Sequence, residues 1–133
     1  LLLVAALVLV AFDGRAAEAV LTPERIVGTW VLRGGSCTDD NAEFVTFRDN
    51  GAVESSDKGV LQAAGFWRLA DDLVKLNVVA PPSFFDEKLK ATEGQFGLFE
   101  ISLAPFNIQD TAFDAVGILG QEVRRTRFTR CAG

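Results

Sequence analysis

Histidine, tyrosine and methionine are absent from all 133 residues. Their absence excludes triads with a histidine base, zinc sites with imidazole ligands, and haem held by histidine or methionine. Cysteine occurs twice, too few for an all-cysteine zinc site, which needs four thiolates. A basic excess is also missing. Thirteen Lys and Arg against 18 Asp and Glu give a net charge of −5, whereas a general nucleic-acid binder needs a basic face. Long apolar runs are scarce. The longest covers residues 1–12, and a membrane-spanning helix needs ~20 apolar residues.

That run leads into Asp13-Gly14-Arg15 and then Ala17-Glu18-Ala19, a small-x-small cleavage pattern. Residues 1–19 read as a secretory signal peptide that begins inside its apolar region, and residues 20–133 as one exported domain. Removing two carboxylates and one arginine with the leader takes the net charge from −5 to −4. The expected location is the periplasm or the exterior. There two cysteines read as one disulfide, Cys37–Cys131. No membrane-spanning segment is expected in the mature chain. The remaining acid–base candidates are Asp39, Asp40 and Glu43 beside Cys37, and Asp71-Asp72 in a turn. Adjacent carboxylates in turns are ordinarily solvated turn formers, so neither catalysis nor a metal or cofactor is expected.

The rest of the chain has the two-residue period of strands. Thr22-Pro23 starts one helical turn as N-cap and first helical residue. Val27 to Arg33 is the first strand, with Gly28, Trp30 and Leu32 on one face. Glu43 to Asp49 and Ala52 to Glu54 flank Asn50-Gly51, a hairpin signal that suits a type I′ turn. Gly65 to Ala70 and Leu73 to Val79 flank Asp71-Asp72, with Val74, Leu76 and Val78 opposite Lys75 and Asn77. Ala80-Pro81-Pro82 breaks the pattern, and Ser83 to Lys90 fits one or two helical turns. Gln95 to Leu103, with Gly97 permitting close approach, precedes a turn at Ala104-Pro105-Phe106-Asn107. Thr111 to Leu119 and Gln121 to Cys131 end the chain. Eight strands joined by hairpins predict an all-β fold, an antiparallel up-and-down barrel with a short N-terminal helical turn. A closed barrel sets its first and last strands side by side, as the Cys37–Cys131 bond requires.

A helical turn, then Gly28-Thr29-Trp30 on the first strand, then antiparallel meanders, resembles the lipocalins and the wider calycin group. Gly65-Phe66-Trp67-Arg68-Leu69 followed by Asp71-Asp72-Leu73 is similar to a hairpin of bacterial lipocalin-like domains of unknown function. The resemblance implies that Trp30 plugs one barrel end, that Gly28 allows close packing there, and that a late-strand arginine covers the indole. Arg125 and Arg127 are the candidates, sharing a face with Val123 and Thr129. The chain departs from avidins in lacking tyrosine, and from intracellular fatty-acid carriers in lacking their late Arg-x-Tyr pair.

Two functions stay open. One is a small exported carrier, non-catalytic, that takes a hydrophobic or acidic lipid-like ligand in a pocket formed by Trp67, Phe84, Phe85 and Phe99. The other is a barrel plugged by its own ten mature Phe and two Trp. Such a barrel would act through its surface as an envelope interaction protein, or as a protease inhibitor whose free arm is Val20-Leu21-Thr22-Pro23.

Overall fold

A computed structural model of the chain describes residues 20–84 and 96–132. The expected leader, Phe85, and most of the segment expected to turn helically after Ser83 lie outside the described residues. Pro82–Phe84 forms a single 3-10 turn.

The strands are β1 (Gly28–Leu32), β2 (Glu43–Phe47), β3 (Ala52–Asp57), β4 (Val60–Ala70), β5 (Leu73–Ala80), β6 (Gly97–Phe106), β7 (Ala112–Leu119) and β8 (Glu122–Arg130). Each pairs antiparallel with the next, and β8 returns to β1, closing an up-and-down barrel. Closure places Trp30 opposite Arg130 and Leu32 opposite Phe128. It removes both sheet edges, which would otherwise present unpaired backbone groups. The helical turn α1 (Pro23–Ile26) precedes β1 with Pro23 at its first turn.

Strand alternation fixes which side chains face inward. Val74, Leu76, Val78 and Ala80 are buried along β5, while Lys75 and Asn77 face outward. The outer wall also carries Glu100, Arg125 and Arg127. Among the described residues no helix is long and apolar enough to cross a membrane.

Two local expectations are corrected. The β2–β3 connection is not a type I′ turn, because only Gly51 has a positive φ (87°) and Asn50 does not. Gly51 N–H donates to the Arg48 carbonyl, and the Asn50 side chain accepts from Ala52 N–H. This is a three-residue loop ending in a left-handed glycine. Both residues of the two-residue turns Lys58-Gly59 and Asp71-Asp72 do have positive φ. The second correction concerns Ala104 to Phe106, which continue β6, with Pro105 opposite Ala115. Pairing of β6 with β5 stops at Leu103. Proline's missing N–H therefore breaks no ladder there.

Cys37 and Cys131 are bonded, with Cα atoms 5.5 Å apart. Cys131 lies beyond β8, where its N–H donates to Thr29. Cys37 belongs to the loop of residues 33–42, which leaves the opposite end of β1. The loop therefore doubles back along the outside of the barrel. Val31 points outward yet is fully buried, because this loop covers it, and a Cβ on Gly35 would stand 2.9 Å from Val31 Cγ2.

Candidate functional site

The two barrel ends differ. One end gathers α1, the β2–β3, β4–β5 and β6–β7 connections, and the C-terminus of β8. Trp30 seals it at 1% exposure, its indole N–H donating to the Ile26 carbonyl at 2.8 Å. Phe113 meets Trp30 edge-on at 4.8 Å, and Phe128 stacks on Phe113 at 4.6 Å. Leu21 and Ile26 complete this plug. Of the expected arm, residues 20–23, Leu21 is buried in this plug while Val20 and Pro23 stay exposed.

The arginine over the indole is Arg130, not Arg125 or Arg127. Its guanidinium carbon lies 4.3 Å from the Trp30 ring centroid. It also donates to the Val27 carbonyl at 2.8 Å and to the Arg25 carbonyl, so it caps the C-terminal end of α1. The period of β8 explains the difference. Phe128 faces inward, so Arg130 does too, and Arg125 and Arg127 face out. Gly28 fits the same junction: its φ is +136°, and a Cβ there would stand 2.7 Å from Arg130 Nη1.

Outside, Arg125 and Arg127 approach Asp114 at 3.8 and 3.3 Å, and Arg125 lies over the Phe106 ring. Asn107 donates to the same carboxylate at 3.1 Å. That hydrogen bond and the two guanidinium groups hold the Asp114 carboxyl below its ordinary 3.8, against a smaller upward push from desolvation. The arginine-rich strand thus contributes Arg130 to a barrel plug and Arg125 and Arg127 to a surface ion-pair cluster.

Above Phe47 and Phe128 the barrel is hollow. A cavity of about 300 Å³ opens at the other end, where the β1–β2, β3–β4, β5–β6 and β7–β8 connections lie. One wall is apolar, with Leu76 and Val78 from β5, Ile101 and Leu103 from β6, and Leu119 from β7. The facing wall and rim are mixed: Glu43 from β2, Ser55 and Asp57 from β3, Gln62 from β4, and Arg124 and Thr126 from β8. Gln62 reaches the interior because the β3–β4 ladder shifts register between Ser55 and Ser56. A bulge of this kind re-aims a side chain. Two ion pairs stand at the mouth, Arg33–Glu43 at 3.6 Å and Arg124–Glu122 at 3.3 Å.

Of the four residues proposed for a pocket, Phe84 lines the cavity and Phe85 is not described. Trp67 sits in the closed half, edge-on to Phe47 and donating to the Arg48 carbonyl at 2.9 Å. Phe99 folds over Gly97, where a Cβ would meet its ring at 2.7 Å, and is not part of the lining. The lining missed by sequence reading includes the apolar β5–β6 wall and, facing it, Val45, Val53, Ser55, Ala63 and Gly117, small side chains on inward phases. Their alternation was a usable signal.

Exposed large apolar side chains gather at this same end. Seven of the nine among the described residues stand at strand ends around the mouth: Val60, Leu61, Val79, Phe96, Leu98, Ile118 and Val123. They run along the consecutive strands β4 to β8. The fold and cavity together define a closed barrel with one sealed end and an internal well. Comparison with protein-family models, curated proteins and solved structures returned no match.

Proposed function

We propose that this is an exported, non-catalytic binding protein of lipocalin-like architecture that takes a small apolar or amphipathic molecule into the barrel. The well above Phe47 and Phe128 carries this reading. Its volume is at the lower end of the ~300–1,000 Å³ usual for ligand pockets. It combines an apolar wall with a few polar groups at the rim, the usual division between affinity and orientation. Export is supported by the disulfide and the leader-like N-terminal sequence.

The test is native mass spectrometry of the purified protein after exposure to a mixed lipid extract, followed by titration with decan-1-ol. Ala63 is buried and faces the well. Ala63→Leu should abolish retention while the variant melts no lower than the parent. An empty spectrum and no saturable decanol binding would overturn the proposal.

A second reading, contact with an envelope lipid surface, is favoured by the apolar collar. Amphipathic surfaces engage membranes by burying such side chains ~5–10 Å into the headgroup region. Flotation with phosphatidylcholine vesicles tests it. Phe96→Ser with Leu98→Ser should reduce co-flotation, and no flotation of the parent protein would rule the contact out.

A further inference from the structure

The well has a chemical polarity that its volume does not reveal. Three carboxylates, Glu43, Asp57 and Glu122, and two guanidinium groups, Arg33 and Arg124, face its mouth. Each arginine already stands within ion-pair distance of one carboxylate, Glu43 or Glu122. Asp57 takes part in none of the ion pairs among the described residues. It is half-buried and lies directly across the β2–β3 ladder from Glu43. Beside it, Gln62 donates its amide to the Val60 carbonyl, leaving its own carbonyl oxygen to accept. Among the described residues, the β2–β4 side of the well therefore offers acceptors and one carboxylate outside the ion pairs. The β5–β7 side offers hydrocarbon.

We infer that the ligand is an amine-bearing amphiphile. Its hydrocarbon lies against Leu76, Val78, Ile101 and Leu103, and its ammonium sits at the Asp57–Glu43 edge with Gln62 as a further acceptor. A carboxylate headgroup would compete with Glu43 or Glu122 for an arginine and would meet the like charge of Asp57. This inference rests on the binding reading above and specifies the headgroup.

A matched series separates the two. Decylamine, decan-1-ol and decanoate share one chain and differ in charge, and each is titrated into the intact protein at neutral pH by calorimetry. Decylamine should bind about tenfold more tightly than decanol, the scale of one charge-assisted hydrogen bond at a half-exposed site, and decanoate more weakly than either. Asp57→Asn should shrink the amine-over-alcohol ratio severalfold, and added salt should shrink it in the parent. Equal binding of amine and alcohol would overturn the headgroup assignment and leave the well as a binding site. Tighter binding of decanoate would overturn it in favour of the arginines. Failure of all three would overturn the binding reading and the inference with it. If Asp57→Asn fails to fold, Glu43→Gln together with the salt dependence carries the same discrimination.

Discussion

Arg130 is the test of how the barrel is closed. Its guanidinium holds three things at once: the Trp30 face at 4.3 Å, the Val27 carbonyl and the Arg25 carbonyl. Hydrogen bonds from a charged donor contribute ~1.5–3 kcal/mol each when well buried, and a cation over an indole ~0.5–2 kcal/mol. Arg130 is half-buried, so the lower ends apply, and Arg130→Ala should cost about 3.5 kcal/mol. Arg130→Lys keeps the charge but lacks the planar fork, and should recover less than half of the loss. Equilibrium urea unfolding with the disulfide intact measures both, as a lower midpoint at unchanged slope.

A double-mutant cycle with Gly28 isolates the geometry. Gly28→Ala suffers a backbone penalty at φ +136° and a collision with Arg130 Nη1. Removing the guanidinium relieves the collision and leaves the penalty. Gly28→Ala should therefore cost about 1 kcal/mol less in the Arg130→Ala background, within the coupling expected of contacting residues. Additive costs, or an Arg130→Ala variant within about 0.5 kcal/mol of the parent, the usual range for an uninvolved surface site, would refute this account of the closed end.

Trp30→Ala should cost roughly 3–5 kcal/mol, the range for truncating a large buried aromatic, read by the same unfolding curves. Replacing Cys37 and Cys131 by serine opens a loop spanning 94 positions and should cost at most about 4–5 kcal/mol on the chain-entropy estimate, seen as a lower melting temperature. The Asp114 carboxyl is held below its ordinary 3.8. It therefore adds stability above the unfolded-state pKa, and that stability is lost as pH falls through the folded-state value. Acid unfolding monitored by circular dichroism should show a smaller loss below pH ~4 in Asp114→Asn than in the parent.

The barrel was legible because its signals agree across levels: alternation along β5, turn residues at hairpin spacing, and one cysteine near each end of the mature domain. The lower half of the site was partly legible. Gly28 and Trp30 announced a plug, but the matching arginine was assigned to the wrong phase of β8. Anchoring the phase on Phe128, the one aromatic residue of that strand, points to Arg130. The β2–β3 turn misled because Asn-Gly fits two hairpin geometries, and the loop length decides between them. Pro105 misled because a proline argues against a strand only while both neighbours need its N–H, and β5 has already ended there.

The hollow interior shows why counting aromatic residues failed as a guide. Phe44, Phe66 and Phe106 lie on outward phases, and Phe96 precedes β6 on the surface. Those that face inward in the closed half pack against one another and the two tryptophans: Phe47 edge-on to Trp67, Phe113 edge-on to Trp30, and Phe128 stacked on Phe113. Above them the apolar wall of β5 and β6 faces Val45, Val53, Ser55, Ala63 and Gly117 on inward positions. These are too small to meet across the barrel. Packing in a small barrel is decided layer by layer, so a chain can carry enough aromatic volume to fill its interior and still leave a well, provided that volume is spent in one layer. The same distribution makes the well independent of the plug. Changes at Ala63 or Asp57 should alter binding with little effect on closure, while changes at Trp30, Gly28 or Arg130 should unfold the barrel before they alter what it holds.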